Sequence, residues 1–242
     1  MNLKSLNLKL IIGLTYLGII LIGLYFLFSF VDFKDLTSYE FIRSNKDVIL
    51  KYKNENFIFL TSVFFIFTII WILCLGFVMP LLLLSGFIFG KWWGIAIILL
   101  STTIGATLFY MLANFFFKDI IKNKLAPKFS KLKDFFNRND IFYFILFRFV
   151  GGGGAPFTIQ NIMPVLFNMP IKNYFIATLI GSAPSMFVTV ALGSGLEKII
   201  DQNTEISFST MLLSPEIYIP IIAFISILFL AFIIKKFFFK LN

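Results

Sequence analysis

The chain has 242 residues, of which 59% are hydrophobic and 14% charged, with a mean hydropathy of +0.94. A soluble globular domain carries about 25% charged residues, so this composition argues against a soluble fold. The net charge of +9 invites a nucleic-acid partner, but the basic residues flank apolar runs, and attraction to anionic lipid headgroups is the simpler account. There is no His, and Cys74 is the single Cys. That removes disulfide frameworks, CxxC sites, His triads and most His-containing metal sites. No cofactor and no metal are expected.

In chain order, residues 10–30 and 57–79 are free of charge, and each is long enough to cross a hydrocarbon core of about 30 Å. Lys4 and Lys9 precede the first, as in a signal peptide. Its apolar run is too long for one and no A-x-A site follows, so it reads as an uncleaved anchor. Residues 31–56 are polar. Thr37 and Glu40 form a capping-box pattern there, and Phe41, Val48, Ile49 and Tyr52 recur at helical spacing. Residues 91–117 and 172–196 are apolar after an initial lysine, and residues 217–234 are uncharged. Between them, residues 118–140 hold seven basic side chains against three acidic ones, with Leu125, Phe129, Leu132 and Phe136 on one helical face. Such a helix lies on a membrane surface or packs against its own protein; both readings stand at this point.

The excess of Lys and Arg places residues 118–140 and the C-terminal tail in the cytoplasm, and the acidic residues 196–216 outside. Lys4 and Lys9 favour a cytoplasmic N-terminus. Residues 91–117 must then run inward, so residues 57–90 leave and return to the same face. They read as a hairpin, with 57–79 descending and 80–90 returning; the rival is a full span at 57–79 with an external N-terminus.

Two stretches resemble each other at a fixed offset, with chance similarity between apolar segments as the alternative. Pro80 to Gly105 is the same separation as Pro156 to Gly181, Thr102 matches Thr178, and Ile104 matches Ile180. Each copy reads as a breaker, a short apolar segment, a turn with interfacial aromatics (Lys91-Trp92-Trp93 or Lys172-Asn173-Tyr174) and a span. Residues 80–90 and 156–167 are too short to cross as helices. They suit re-entrant legs entering from opposite faces, an inverted arrangement that points to a transport site.

Arg148 is the most informative side chain. Eight residues after Asp140, at about 1.5 Å each, it lies roughly 12 Å inside the membrane, where an arginine faces a polar cavity or a partner unless it snorkels to the surface. Gly151, Gly152, Gly153, Gly154 and Pro156 follow. They cannot sustain a helix, and they free backbone N–H groups beside Arg148 in an anion-friendly setting; a purely structural turn is the alternative. Gln160 and Asn161 add amides in the second short leg. Thr103, Thr107 and Asn114 share one face of the preceding span, and Thr178, Ser182, Ser185 and Thr189 form a stripe on the next. Small polar stripes of this kind more often mark helix packing than a substrate path. Gly181 and Pro184 are expected to kink their span. No acidic residue lies deep in an apolar run, so a carboxylate proton relay has no clear candidate.

At these residues the sequence resembles the DedA-like VTT-domain family, also called SNARE-associated Golgi proteins, over roughly residues 77–197. The matching elements are Gly86-Phe-Ile-Phe-Gly90, Gly105-Ala106, Arg148, Pro156-Phe157, Asn161, Thr178, Ile180-Gly181 and Pro184. The resemblance implies two opposed re-entrant helices and transport of phospholipids or polyprenyl-phosphate carriers in a bacterial inner (plasma) membrane, with Arg148 as the re-entrant arginine. Departures are Asn114 where an arginine is common, the glycine run in place of a proline, Pro164 near where a glycine is usual, and the absence of re-entrant acidic residues.

The expected fold is all-α, a polytopic transmembrane helical bundle with two opposed re-entrant hairpins. Residues 1–56 form an anchor and polar segment, 57–197 the core, and 198–242 an external loop, last span and basic tail. The expected function is a phospholipid or polyprenyl-phosphate scramblase or flippase rather than an enzyme. Its expected substrate-binding residues are Arg148, Gly151, Gly152, Gly153, Gly154, Pro156, Gln160, Asn161 and Asn114. Pro80, Gly86, Gly90, Gly105, Gly181 and Pro184 shape the re-entrant legs. Membrane lipids are the partners, with anionic headgroups at 118–140 and no nucleic acid. The alternatives are a proton- or ion-coupled small-solute transporter and a non-transporting assembly or trafficking factor.

Overall fold

The computed structural model describes residues 51–74, 78–125, 139–149 and 155–201, residues 11–16, Phe136 and scattered positions nearer the two ends. Among the described residues the secondary structure is helical throughout, with no strand. In lipid each backbone N–H and C=O must be satisfied within its own segment, which favours helices. Helix α1 spans Phe57–Leu73. Helix α2 spans Met79–Leu125 but is broken at Gly90, whose φ of 74° and ψ of 173° belong to a region open essentially to glycine alone. Helix α3 spans Asp140–Phe149. It starts where Asn139 Oδ1 accepts the Phe142 N–H at 3.0 Å, an N-cap. Helix α4, Phe157–Phe167, follows Pro156 and ends at Asn168 in the left-handed conformation (φ 51°, ψ 40°), which asparagine tolerates at a helix end. Helix α5 spans Ile171–Asp201. Two helices, within residues 79–119 and 171–195, are long and apolar enough to cross a membrane.

The chain doubles back twice. Phe57, at the start of α1, meets Phe89 and Trp93 with ring centroids 6.2 and 5.8 Å apart. Ile69 and Ile72, near the end of α1, lie against Gly105. The limb 79–89 therefore returns to the level where α1 began, and residues 91–125 run parallel to α1. The second half repeats this. Asn173 Nδ2 donates to both carboxylate oxygens of Asp140 at 3.0 Å, so α3 and α5 start side by side. Ile145 and Arg148 lie against Gly181. Helix α4 therefore returns to the end where α3 began.

A shift of 76 residues superimposes these relations. Gly105 faces Ile69 and Ile72; Gly181 faces Ile145 and Arg148. The two long helices are antiparallel, because contacts climb α2 while they descend α5: Trp92 with Phe187 at 5.5 Å, Thr102 with Met186 at 3.6 Å, Tyr110 with Tyr174 at 4.7 Å. The repeat is inverted. Each hairpin is covered by the far half of the other repeat's long helix. Tyr110 and Ala113 of α2 join Phe144, Met163, Val165 and Tyr174 in one apolar cluster. Met186 and Val190 of α5 join Phe64, Ile72, Leu82, Phe89 and Ile98 in the other. Small residues let the helices approach, as is usual between membrane helices. A Cβ at Gly86 would lie 1.9 Å from the Val190 carbonyl oxygen, and one at Gly193 would lie 2.1 Å from that of Leu83.

Gly181 and Pro184 both lie inside α5, which runs through them as one helix. Gly181 also allows close packing: a Cβ there would lie 2.7 Å from Arg148 Cβ. Pro80 and Pro156 sit at helix starts, where a missing N–H costs nothing. The Ser185 and Thr189 hydroxyls donate to carbonyls of their own helix, which fits the packing role. Phe136 is buried and stacks on Phe167 at 4.2 Å, so at that position the basic segment packs against its own protein. Residues 126–135, 137 and 138 of that segment, the Thr37–Glu40 pattern and the C-terminal tail lie outside the described residues, as do Gly151, Gly152, Gly153 and Gly154.

Candidate functional site

Arg148 stands on the last turn of α3, and its side chain is 2% exposed. Burying an unpaired charge is expensive, so the residue must be held by dipoles that replace water. Nη1 donates to Gln160 Oε1 at 3.1 Å. Nη2 donates to Asn161 Oδ1 at 2.5 Å and to the Tyr174 hydroxyl oxygen at 2.8 Å. That hydroxyl in turn donates to Asn161 Oδ1 at 3.0 Å, and Gln160 Nε2 donates to the Ala155 carbonyl at 2.8 Å. The guanidinium lies 5.1 Å from the ring centroids of Phe144 and Phe157 and 5.7 Å from that of Tyr174, close enough for cation–π attraction.

Two properties follow. The oxygens around Arg148 belong to amides and a phenol, and among the described residues no carboxylate forms an ion pair with it. Among the described residues the guanidinium therefore has no counter-ion. Arg148 Nε is buried and has no acceptor among the described residues, although arginine offers five N–H donors. A fixed guanidinium with a spare donor in apolar surroundings suits an anionic oxygen, by a charge-assisted hydrogen bond.

The structure brings Arg148, Gln160 and Asn161 together as their sequence positions suggest. Pro156 is the residue before α4 and is exposed, with no side-chain role in the network. Asn114 makes no hydrogen bond to Arg148; its Oδ1 is buried without a partner on α2. The sequence places Tyr174 in an interfacial turn, and here the structure differs. It is completely buried, because successive helical positions point about 100° apart: Asn173 faces Asp140 and Tyr174 faces inward. A signal was present, since Tyr174 sits one helical turn before Thr178 on the small-residue stripe. Tyr110 was likewise missed, on the face of Thr103, Thr107 and Asn114. It stacks on Tyr174 and donates to the Met169 carbonyl at 2.5 Å.

In comparison with known proteins, residues 77–195 match the VTT domain family model. The chain is 25% identical over 173 residues to a Transmembrane protein 41 homolog of Caenorhabditis elegans, covering 69% of this chain and 68% of that protein. It is 25% identical to the homolog of Dictyostelium discoideum, covering 69% and 49%. With Transmembrane protein 41B of Mus musculus it shares 27% identity over 60% of this chain and 49% of that protein. The chain thus spans about half the length of the latter two relatives. No solved structure matches significantly. The matched segment begins after α1 and takes in every residue named around Arg148, and the chain is an integral membrane protein whose residues 77–195 match the VTT-domain family.

Proposed function

We propose that this protein moves an anionic lipid, a phospholipid or a polyprenyl phosphate, between membrane leaflets, and that Arg148 receives the phosphate while the acyl chains stay in lipid. The observation that carries this reading is a fully buried arginine with neutral partners and a free Nε. The doubled-back segments enter the bilayer from opposite faces without crossing it. Helices α3 and α4 have 10 and 11 residues, or about 15–17 Å at 1.5 Å per residue, roughly half of a 30 Å hydrocarbon core. Their inner ends bring Arg148 toward the midplane. Trp92 and Trp93 are exposed beside Lys91, as suits the opposite headgroup region. The basic residues 118–140 face the cytoplasm with both termini and hold anionic headgroups. The work is binding and movement, without covalent chemistry.

The test is reconstitution into liposomes with headgroup-labelled phospholipid or polyprenyl phosphate. Parent protein accelerates exchange between leaflets, and Arg148→Ala lowers the rate by at least about tenfold, as expected for the loss of one charge-assisted contact. Arg148→Lys is also impaired, because an ammonium cannot reproduce the planar fork. Unchanged transport in Arg148→Ala removes Arg148 from the mechanism. Absence of transport for every lipid rejects the function, and flux of a small solute that follows the pH gradient or membrane potential replaces it with a coupled transporter.

A further inference from the structure

The 76-residue shift supplies an internal control for the site. Under it Arg148, Gln160, Asn161 and Tyr174 correspond to Ile72, Leu84, Ser85 and Ile98, and Tyr110 corresponds to Met186. The counterpart place is built: Ile72 packs on Gly105, and Ile98 shares a buried cluster with Met186. Ser85 donates to the Gly94 carbonyl at 2.9 Å. The same fold therefore closes over a hairpin with isoleucine and methionine where the charged half has two tyrosines. The tyrosine pair is not a requirement of the architecture.

Tyr110 comes from α2, in the repeat that holds none of the other groups around Arg148. Its side chain is 2% exposed, and its ring stacks on Tyr174 at 4.7 Å with 30° between the planes. Its hydroxyl anchors it to Met169, in the connection between α4 and α5. Tyr174 is clamped between Tyr110 and Phe144, whose centroid is 5.3 Å away, and it presents its oxygen to Arg148 Nη2. We infer that Tyr110 is a positioning residue that acts through Tyr174 on Arg148. The anion-receiving site is then a composite of both repeats, and a movement of α2 against α5 reorients the guanidinium. The inference rests on the reading of Arg148 as the receiving group, and its test is separable from lipid transport.

The experiment follows the Arg148 guanidinium by NMR in full-length protein labelled with nitrogen-15 arginine. The chain has three arginines, Arg43, Arg138 and Arg148, and the Arg148 signal is assigned by its loss in Arg148→Met. Tyr110→Met installs the residue the fold already accepts at the counterpart position. It speeds hydrogen exchange at the Arg148 side chain by roughly fivefold to tenfold, as expected for one lost aromatic pair. Tyr110→Phe keeps the ring and restores slow exchange. Met186→Ala, at the counterpart position, lowers thermal stability and leaves the Arg148 signal unchanged. Exchange unaffected by Tyr110→Met, raised equally by Met186→Ala, or not rescued by Tyr110→Phe overturns the inference. Labelled-lipid transport is measured on the same samples. A parent that moves no lipid rejects the function, while the exchange data still decide the role of Tyr110.

Discussion

At the scale of the residue, Arg148 works against the stability of its own surroundings. Arg148 has no counter-ion among the described residues; burial strips most of its hydration, and three neutral hydrogen bonds return only part of that. Replacing the group and its partners with well-packed apolar residues is therefore expected to be neutral or stabilising by about 1–4 kcal/mol. The first repeat shows which residues to use: Ile72, Leu84 and Ser85. The triple variant Arg148→Ile, Gln160→Leu, Asn161→Ser should keep or raise the melting temperature in detergent while abolishing lipid transport. A large fall in melting temperature would mean that the network serves the fold. Tyr174→Phe removes one acceptor of Nη2 and one donor to Asn161. Its expected cost is about 1 kcal/mol, with a partial loss of transport, read in the same two assays.

At the scale of the element, turns and crossings carry the constraints. Gly90 has φ 74° and ψ 173°, and nothing lies within 4 Å of where its Cβ would be. Gly90→Ala is therefore opposed by backbone strain alone, about 1–3 kcal/mol. Gly86→Ala is different, because its Cβ would meet the Val190 carbonyl at 1.9 Å and force α5 away from the limb 79–89. Overpacking of this kind costs typically 1–3 kcal/mol or more, and thermal unfolding should rank Gly86→Ala as the less stable of the two or place them level. Asp140→Ala cuts the tie between the starts of α3 and α5. It should lower stability by about 1–3 kcal/mol, as for hydrogen bonds to a charged group.

At the scale of the whole molecule, the arrangement predicts which face each connection reaches. Cys74 is the single cysteine and is half-buried, so a Cys74→Ser background leaves no native thiol. In it, Asn54→Cys and Lys91→Cys should react with an impermeant maleimide from the same outer side. Lys172→Cys should react only after the cytoplasmic face is opened. Asn54 and Lys91 are exposed and bracket the first doubled-back segment, and Lys172 is exposed at the start of α5. Labelling of Asn54→Cys and Lys91→Cys from opposite sides would mean that residues 57–90 cross the bilayer.

Much of this architecture could be read from residue order. Apolar length and sparse charge determined a helical membrane chain, and the equal spacing of Pro80 to Gly105 and Pro156 to Gly181 marked the repeat. Arg148, Gln160 and Asn161 stood out because polar groups in apolar runs are costly and therefore few. Tertiary structure decided the rest. It turned Tyr174 inward, brought Tyr110 across from the other repeat, and left Asn114 without a hydrogen bond to Arg148. It also set Gly181 in close contact with Arg148 and Ile145. The physical reason is rotation and crossing: a residue's depth follows from its position along a helix, but its partners depend on which face an antiparallel neighbour presents, and no local pattern in the sequence specifies that.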